Sequence, residues 1–358
     1  MPQNQAGNPD NYRGCLLGGA VGDALGAPVE FMRLHEIRSA FGRKGITDFA
    51  EAYGRKGAIT DDTQMTLFTA EGLLRALHRF NNRGLCSITD VVTHAYIRWL
   101  VTQGVKPAGE VYRTVHAVEH DGFLIQVKEL HERRAPGNTC LSALQERSNG
   151  NTKKYINNSK GCGGVMRMAP VGLFAHKGNN VFGRGCALAQ ITHGHPSGYL
   201  AAGCFARIIA GIIEGNSLDE AVKKSVRALK KRKGHEECLK AVERALTFSQ
   251  DEKPCPETIE RIGAGWIAEE ALAIALYCSR VFQDDFRKAV LLAVNHSGDS
   301  DSTGAMTGTI VGALLGVKAI PQEWLSQLEL CNVISEVAED LLTGYREDDT
   351  WYKKYPCW

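Results

Sequence analysis

The stretch Gly304–Gly316, GAMTGTIVGALLG, sets glycine at 304, 308, 312 and 316, each four residues from the last. Four-residue spacing places all of them on one face of an α-helix. Glycine inside a helix costs roughly 1 kcal/mol per position relative to alanine. A helix that carries four of them needs a face without side chains, so that another backbone can approach closely. The same spacing appears near the other end of the chain, where GCLLGGAVGDALG holds Gly14, Gly18, Gly22 and Gly26. Two such helices point to a closely packed helical core.

The surrounding periodicity agrees. Met65, Phe68, Gly72, Leu73, Ala76, Leu77 and Phe80 recur at three- and four-residue steps, as do Val91, Ala95, Trp99 and Leu100. Further helices are expected over 199–213, 218–232, 235–248, 265–282, 285–294, 303–316 and 331–343. Strand alternation is scarce; the residues before Thr60, GITDFAEAYGRKGAI, read as a loop or a short strand pair. The region 104–160 is richer in Gly, Asn and charge, with helices interrupted by loops. No linker divides the chain, and the expectation is one compact all-α, multi-helix domain over 12–358 behind a flexible tail over 1–11.

The 358 residues carry a net charge of +2, which supplies no global field for nucleic acid or a membrane surface. The 11 cysteines include no CxxC pair, and their spacings fit reduced thiols in a cytoplasmic protein. The polar N-terminus has no signal-peptide pattern. The uncharged run between Asp301 and Lys318 is shorter than the roughly 20 residues of a membrane span and reads as a buried helix.

Just before the glycine run stands NHSGDSDSTGAM, residues 295–306, with Asp299, Asp301, Ser302 and Thr303. Thr60, Asp61, Asp62 and Thr63 stand likewise before the helix that begins near Met65. One oxygen side chain suffices to cap a helix N-terminus; four in a row exceed that need. Carboxylates crowded in an apolar setting require a cation. Carboxylate and hydroxyl oxygens suit Mg²⁺ or Mn²⁺ rather than zinc, and two such clusters can hold two divalent ions about 4 Å apart. Glu30 ends the run GDALGAPVE. Asp23, inside the glycine-rich face, is expected to bond to a neighbouring loop.

Three further segments invite a ligand. SKGCGGVMRMAP, 159–170, has Gly161, Gly163 and Gly164, whose amides can approach an anion; Arg167 would bind a phosphate or form a core salt bridge. THGHPSG, 192–198, offers His193, either toward a phosphate or ribose or as a satisfied buried histidine. GAGWIAEEALA, 263–273, places Trp266 either in the core or beside a flat base. The basic run Lys223–Lys233 is read as a solvated face.

Together GDALGAPVE (22–30), TDDTQM (60–65), SKGCGGVMR (159–167), THGHPSG (192–198), GAGWIAEEALA (263–273) and GDSDSTGAMTG (298–308) resemble the ADP-ribosylglycohydrolase family, in the family's order and from about Tyr12 to Leu342. The resemblance implies an all-α fold with a cleft for two Mg²⁺ or Mn²⁺, held by Thr60, Asp61, Asp62, Asp299, Asp301 and Ser302, with Thr303 as the second choice for the hydroxyl. It implies catalytic roles for Asp61, Asp62 and Glu30. It implies substrate contacts from Ser159, Gly161, Cys162, Gly163, Gly164, His193 and Trp266. Many relatives carry Asn where this chain has Cys162, which removes an amide from the loop. The implied activity is hydrolysis of ADP-ribose from an ADP-ribosylated protein, most simply at arginine, by a monomer. The second reading is a binding protein that recognises such targets or occludes an ADP-ribosyltransferase.

Overall fold

The computed structural model describes residues 7–107, 121–174 and 180–357. Along the chain the helices are α1 (Pro9–Gly26), α2 (Leu34–Phe41), α3 (Asp61–Arg83), α4 (Ile88–Thr102), α5 (Asn138–Ser148), α6 (Ala169–Leu173) and α7 (Val181–Ala189). Then follow α8 (Pro196–Ile213), α9 (Leu218–Leu229), α10 (Glu236–Asp251), α11 (Pro256–Ile262) and α12 (Ala268–Val281). The last are α13 (Phe286–Val294), α14 (Ser300–Leu315), α15 (Gln322–Leu325), α16 (Cys331–Thr343) and α17 (Asp349–Lys354). Strand structure among the described residues is one two-residue hairpin, Glu51–Ala52 with Arg55–Lys56. The architecture is all-α.

The two glycine-spaced helices pack on each other. They run antiparallel, Gly14 against Gly312, Gly18 against Gly308 and Gly22 against Gly304, and theirs is the most extensive helix contact in the fold. A Cβ on Gly22 would stand 2.0 Å from the Gly304 carbonyl oxygen, and one on Gly308 would stand 2.0 Å from that of Gly18. Any side chain at these positions would push the backbones apart. The pair therefore joins the two ends of the chain and forms the centre around which α8, α12 and α13 are buried.

Outer helices follow amphipathic logic. α9 opens on a capping box of Ser217 and Glu220 and buries Leu218, Ala221, Val222, Ser225 and Leu229 along one stripe. α8 is long and apolar enough to cross a membrane by length and composition, yet 78% of it is buried inside the protein. α1 begins at Pro9, inside the segment expected as a tail, and the Asn11 amide donates to the Ala313 carbonyl at 2.6 Å.

Two boundaries shift in ways that matter for the site. α14 begins at Ser300, not 303, with Asp299 at the N-cap position making no side-chain capping bond; Asp301 and Ser302 therefore sit in its first turn. α12 begins at Ala268, not 265. Ile267 ahead of it is extended and bridges Gly161.

Candidate active site

The glycine pairing brings the N-terminus of α14 beside the C-terminus of α1, where Gly26 lies against the Ser300 carbonyl and the Asp301 backbone. The N-terminus of α3 arrives at the same place. Asp23 of α1 holds it there. Its carboxylate accepts from the Thr60 amide at 3.0 Å, the Thr60 hydroxyl at 2.8 Å, the Thr63 amide at 3.2 Å and the Thr63 hydroxyl at 2.5 Å. Asp23 is thus the bonded anchor of the TDDT turn. The same Thr60 hydroxyl lies 3.2 Å from an Asp301 carboxyl oxygen, so the two acidic clusters meet.

Six carboxyls gather here: Asp23, Glu30, Asp61, Asp62, Asp299 and Asp301, all buried. Among the described residues no Lys or Arg forms an ion pair with any of them. Burial and the mutual repulsion of the group push their proton affinities up. Asp23 is raised to about 7 by burial and by Asp301, and Glu30 to about 11 by burial and then Asp301, Asp299 and Asp61. Asp61, Asp62 and Asp299 are held well above the usual carboxylate range by burial and by Asp301. Asp301 is raised by burial.

Hydrogen bonding leaves part of this cluster unsatisfied. Glu30 Oε2 and Asp62 Oδ1 are buried without a partner. One oxygen from each of Glu30, Asp299 and Asp301 lies within 4.8 Å of the others. A buried, uncompensated set of hard oxygens with two orphaned acceptors could hold a divalent cation. Asp61 faces the same region, where its Oδ2 accepts from the Gly137 amide at 3.4 Å. Ser302 turns its hydroxyl to Asp62 at 3.2 Å. Thr303 instead points into the helix packing, donating to the carbonyls of Ala293 at 2.9 Å and Asp299 at 2.8 Å.

The glycine loop forms the adjoining wall. The Cys162 amide donates to the Trp266 carbonyl at 3.1 Å, and the Gly161 amide to the Ser159 hydroxyl at 3.2 Å. Both amides are thereby engaged, so an anion nest here rests on Gly163 and Gly164. The loop glycines all keep negative φ. Their need is space: a Cβ on Gly163 would lie 2.8 Å from the Cys140 sulfur, and one on Gly164 would lie 3.1 Å from His193 Nδ1. His193 packs behind the loop, 1% exposed and bonded to the Thr192 hydroxyl at 2.9 Å. Burial, with Arg167 nearby, lowers its pKa to about 3, so it stays neutral. Cys162 enters the acidic cluster directly, donating to Asp299 Oδ2 at 2.6 Å.

Arg167 lies elsewhere than expected. It is fully buried behind the loop, over the Tyr96 ring at 4.2 Å and bonded to the Thr192 hydroxyl at 2.6 Å. Among the described residues it pairs with no carboxylate, so the core salt bridge is not found, and its full burial offers no exposed face to a phosphate. Trp266 is not core: it is 42% exposed, with its ring stacked on Phe31. The basic run lies on α9 and the turn after it. Lys224, Arg227, Lys231 and Arg232 join Arg207 along a separate surface cleft of about 480 Å³.

Two rim residues escaped the sequence. Tyr53 caps the small hairpin with φ +51°, an uncommon conformation for a bulky residue. Burial and the charges of Glu30 and Asp301 push its phenol up, and the Arg134 guanidinium lies over its ring at 5.7 Å. Phe31 follows Glu30 and is 72% exposed. Neither carries a periodicity signal; the only hint is the YG turn before the TDDT motif.

An all-helical protein with a buried carboxylate cluster at two convergent helix N-termini, walled by a glycine loop, defines the class. The chain belongs to the ADP-ribosylglycohydrolase family, whose profile matches residues 4–350. Its relatives include the ADP-ribosyl-[dinitrogen reductase] glycohydrolase of Rhodospirillum rubrum, 27% identical over 90% of this chain and 91% of that one. The ADP-ribosylarginine hydrolase Tri1 of Serratia proteamaculans is 26% identical over 95% of this chain and 81% of its own length. The ADP-ribosylhydrolase ARH3 of Bos taurus is 24% identical over 89% and 88%. Among solved structures, one described as an ADP-ribosylglycohydrolase-related protein complex superposes with a TM-score of 0.67 at 26% identity, covering 94% of this chain and 98% of that one. Glycohydrolase activity is thus supported by family.

Proposed function

We propose that this protein removes ADP-ribose from arginine side chains of modified proteins and that it depends on Mg²⁺ or Mn²⁺. The uncompensated carboxylate cluster with its orphaned Glu30 and Asp62 oxygens carries the metal requirement. Similarity along most of the chain to an ADP-ribosylarginine hydrolase supports the arginine linkage, and similarity to the dinitrogen reductase glycohydrolase supports a modified protein as substrate. Asp62, Asp299, Asp301 and Ser302, with Thr60 and Asp61 beside them, would hold two divalent ions. When bound, such ions orient ribose hydroxyls and make a water more acidic.

The chain's own groups do the rest. Glycosidic cleavage passes through a transition state with oxocarbenium character, which the surrounding carboxylates stabilise by charge. Glu30, Asp61 and Asp62 are the carboxyls placed to take the proton from the attacking water. Of these, Glu30 adjoins the exposed rim. Ser159, Gly163 and Gly164 line the wall along which the diphosphate would lie, while neutral His193 and Arg167 keep that wall in shape from behind. Cys162 fixes Asp299 by its hydrogen bond.

The decisive experiment incubates the protein, with Mg²⁺ or Mn²⁺ and separately with EDTA, with arginine-linked and serine-linked ADP-ribosylated substrates. Released nucleotide is identified by mass. Free ADP-ribose from the arginine-linked substrate, lost in EDTA, is expected. Undiminished release in EDTA removes the metal requirement, and release from serine alone removes the arginine linkage.

A further inference from the structure

We infer that the exposed aromatic pair Phe31 and Trp266 forms a binding platform for the planar guanidinium group of the modified arginine, and so sets the preference of the site for that linkage. This rests on the arginine reading above. The rings lie with centroids 5.8 Å apart and planes 19° from parallel. They come from distant parts of the chain, yet each is tied to the acidic cluster by its neighbour. Phe31 follows Glu30, whose carboxyl oxygen lies within 4.8 Å of those of Asp299 and Asp301. Trp266 follows Gly265, so close to α14 that a Cβ there would stand 3.3 Å from Asp299 Cβ. The Trp266 carbonyl is held by the Cys162 amide.

Phe31 is 72% and Trp266 42% exposed. A stacked aromatic pair left in water beside a carboxylate gains nothing for the core. It offers instead flat, electron-rich faces at the place where the leaving side chain must emerge. Guanidinium is planar, delocalised and weakly hydrated, and it stacks flat on aromatic faces, which an ammonium engages only as a point charge and a serine hydroxyl does not engage as a cation. A serine leaving group has no plane to offer, so the platform discriminates between the two linkages without touching the ribose.

The test compares wild type with Phe31→Ala, Trp266→Ala, the double variant and Trp266→Phe on free ADP-ribosylarginine, with binding of ADP-ribose in Mn²⁺ as the second readout. The exposed positions leave the fold intact, which the thermal midpoint checks. The double variant is expected to raise KM for ADP-ribosylarginine about tenfold or more, Trp266→Phe to recover part of the loss seen in Trp266→Ala, and ADP-ribose affinity to hold. A double variant whose KM stays within about twofold of wild type overturns the platform. So does an equal loss of ADP-ribose affinity, which would make the pair a nucleotide contact. A wild type inert toward ADP-ribosylarginine but active on another linkage overturns the arginine reading itself, and the platform with it.

Discussion

At the scale of single residues, the acidic site is a balance between burial and repulsion. Without a cation, every carboxyl in it is pushed toward the protonated form, Glu30 from 4.5 to about 11 and Asp23 from 3.8 to about 7. The folded state then binds more protons than the unfolded chain over that window. Stability contributed by these groups is fully present below the unfolded values and is lost as pH rises through the folded ones. In EDTA the thermal midpoint is expected to fall between about pH 5 and about pH 8. Mn²⁺ should raise the midpoint more at the upper pH than at the lower, because there it replaces fewer protons. A metal-induced shift that shrinks as pH rises would contradict this account.

Asp299 and Asp301 allow a sharper separation. Changing either to Asn removes one member of a like-charge cluster and should stabilise the protein in EDTA. The same change should cancel the Mn²⁺-induced shift and lower hydrolysis by more than about a hundredfold. Scanning calorimetry and the nucleotide-release assay read the two effects; a variant both active and metal-stabilised would exclude the residue as a ligand. Much at this scale was legible in the sequence. The surplus of oxygens in TDDT and GDSDS marked the cluster, and Asp23 stood out as a charge inside a glycine face. That Ser302 and not Thr303 turns its hydroxyl to Asp62 depends on the helical phase of α14, which starts at Ser300. The depth of His193 and Arg167 behind the loop depends on neighbours such as Tyr96 and Thr192, distant in sequence.

At the scale of elements, the contact between α1 and α14 is a close approach of two backbones. Gly308→Ala inserts a methyl where a Cβ would lie 2.0 Å from the Gly18 carbonyl oxygen. The expected cost is about 1–3 kcal/mol or more, since neither helix can retreat from a filled core. Gly137→Ala is the control, with nothing within 4 Å of the added carbon and an ordinary φ of −59°. Urea denaturation of the two variants should differ by that margin, and equal stabilities would refute the close-packing account. A second element-scale device ties α3 to α4, where buried Glu71 bonds Arg75 at 3.1 Å and Arg98 at 3.0 Å. Glu71→Ala strands two buried guanidinium groups with reduced compensation, and a loss of about 3–5 kcal/mol is expected in the same assay.

At the scale of the whole molecule, the site exists because the chain's ends close on each other. Residues 9–26 and 300–315 form its centre, and α3 is held to them by Asp23. A chain split into independent halves could not hold the cluster. Unfolding followed by tryptophan fluorescence and by far-ultraviolet circular dichroism should therefore give coincident transitions. Loss of the metal response in a separate, earlier transition would argue for two units.

The sequence by itself determined the helical class, the two glycine faces and the two acidic helix starts. Those features are local: they follow from periodicity, propensity and capping, which act over a few residues. Only the tertiary structure decided that the glycine faces meet each other antiparallel and that the loop bonded by Asp23 is the TDDT turn. It also decided that Phe31 and Trp266 share one exposed stack. These depend on contacts between residues hundreds of positions apart, where the deciding quantity is how closely two backbones can pack. That distance is set by the whole core.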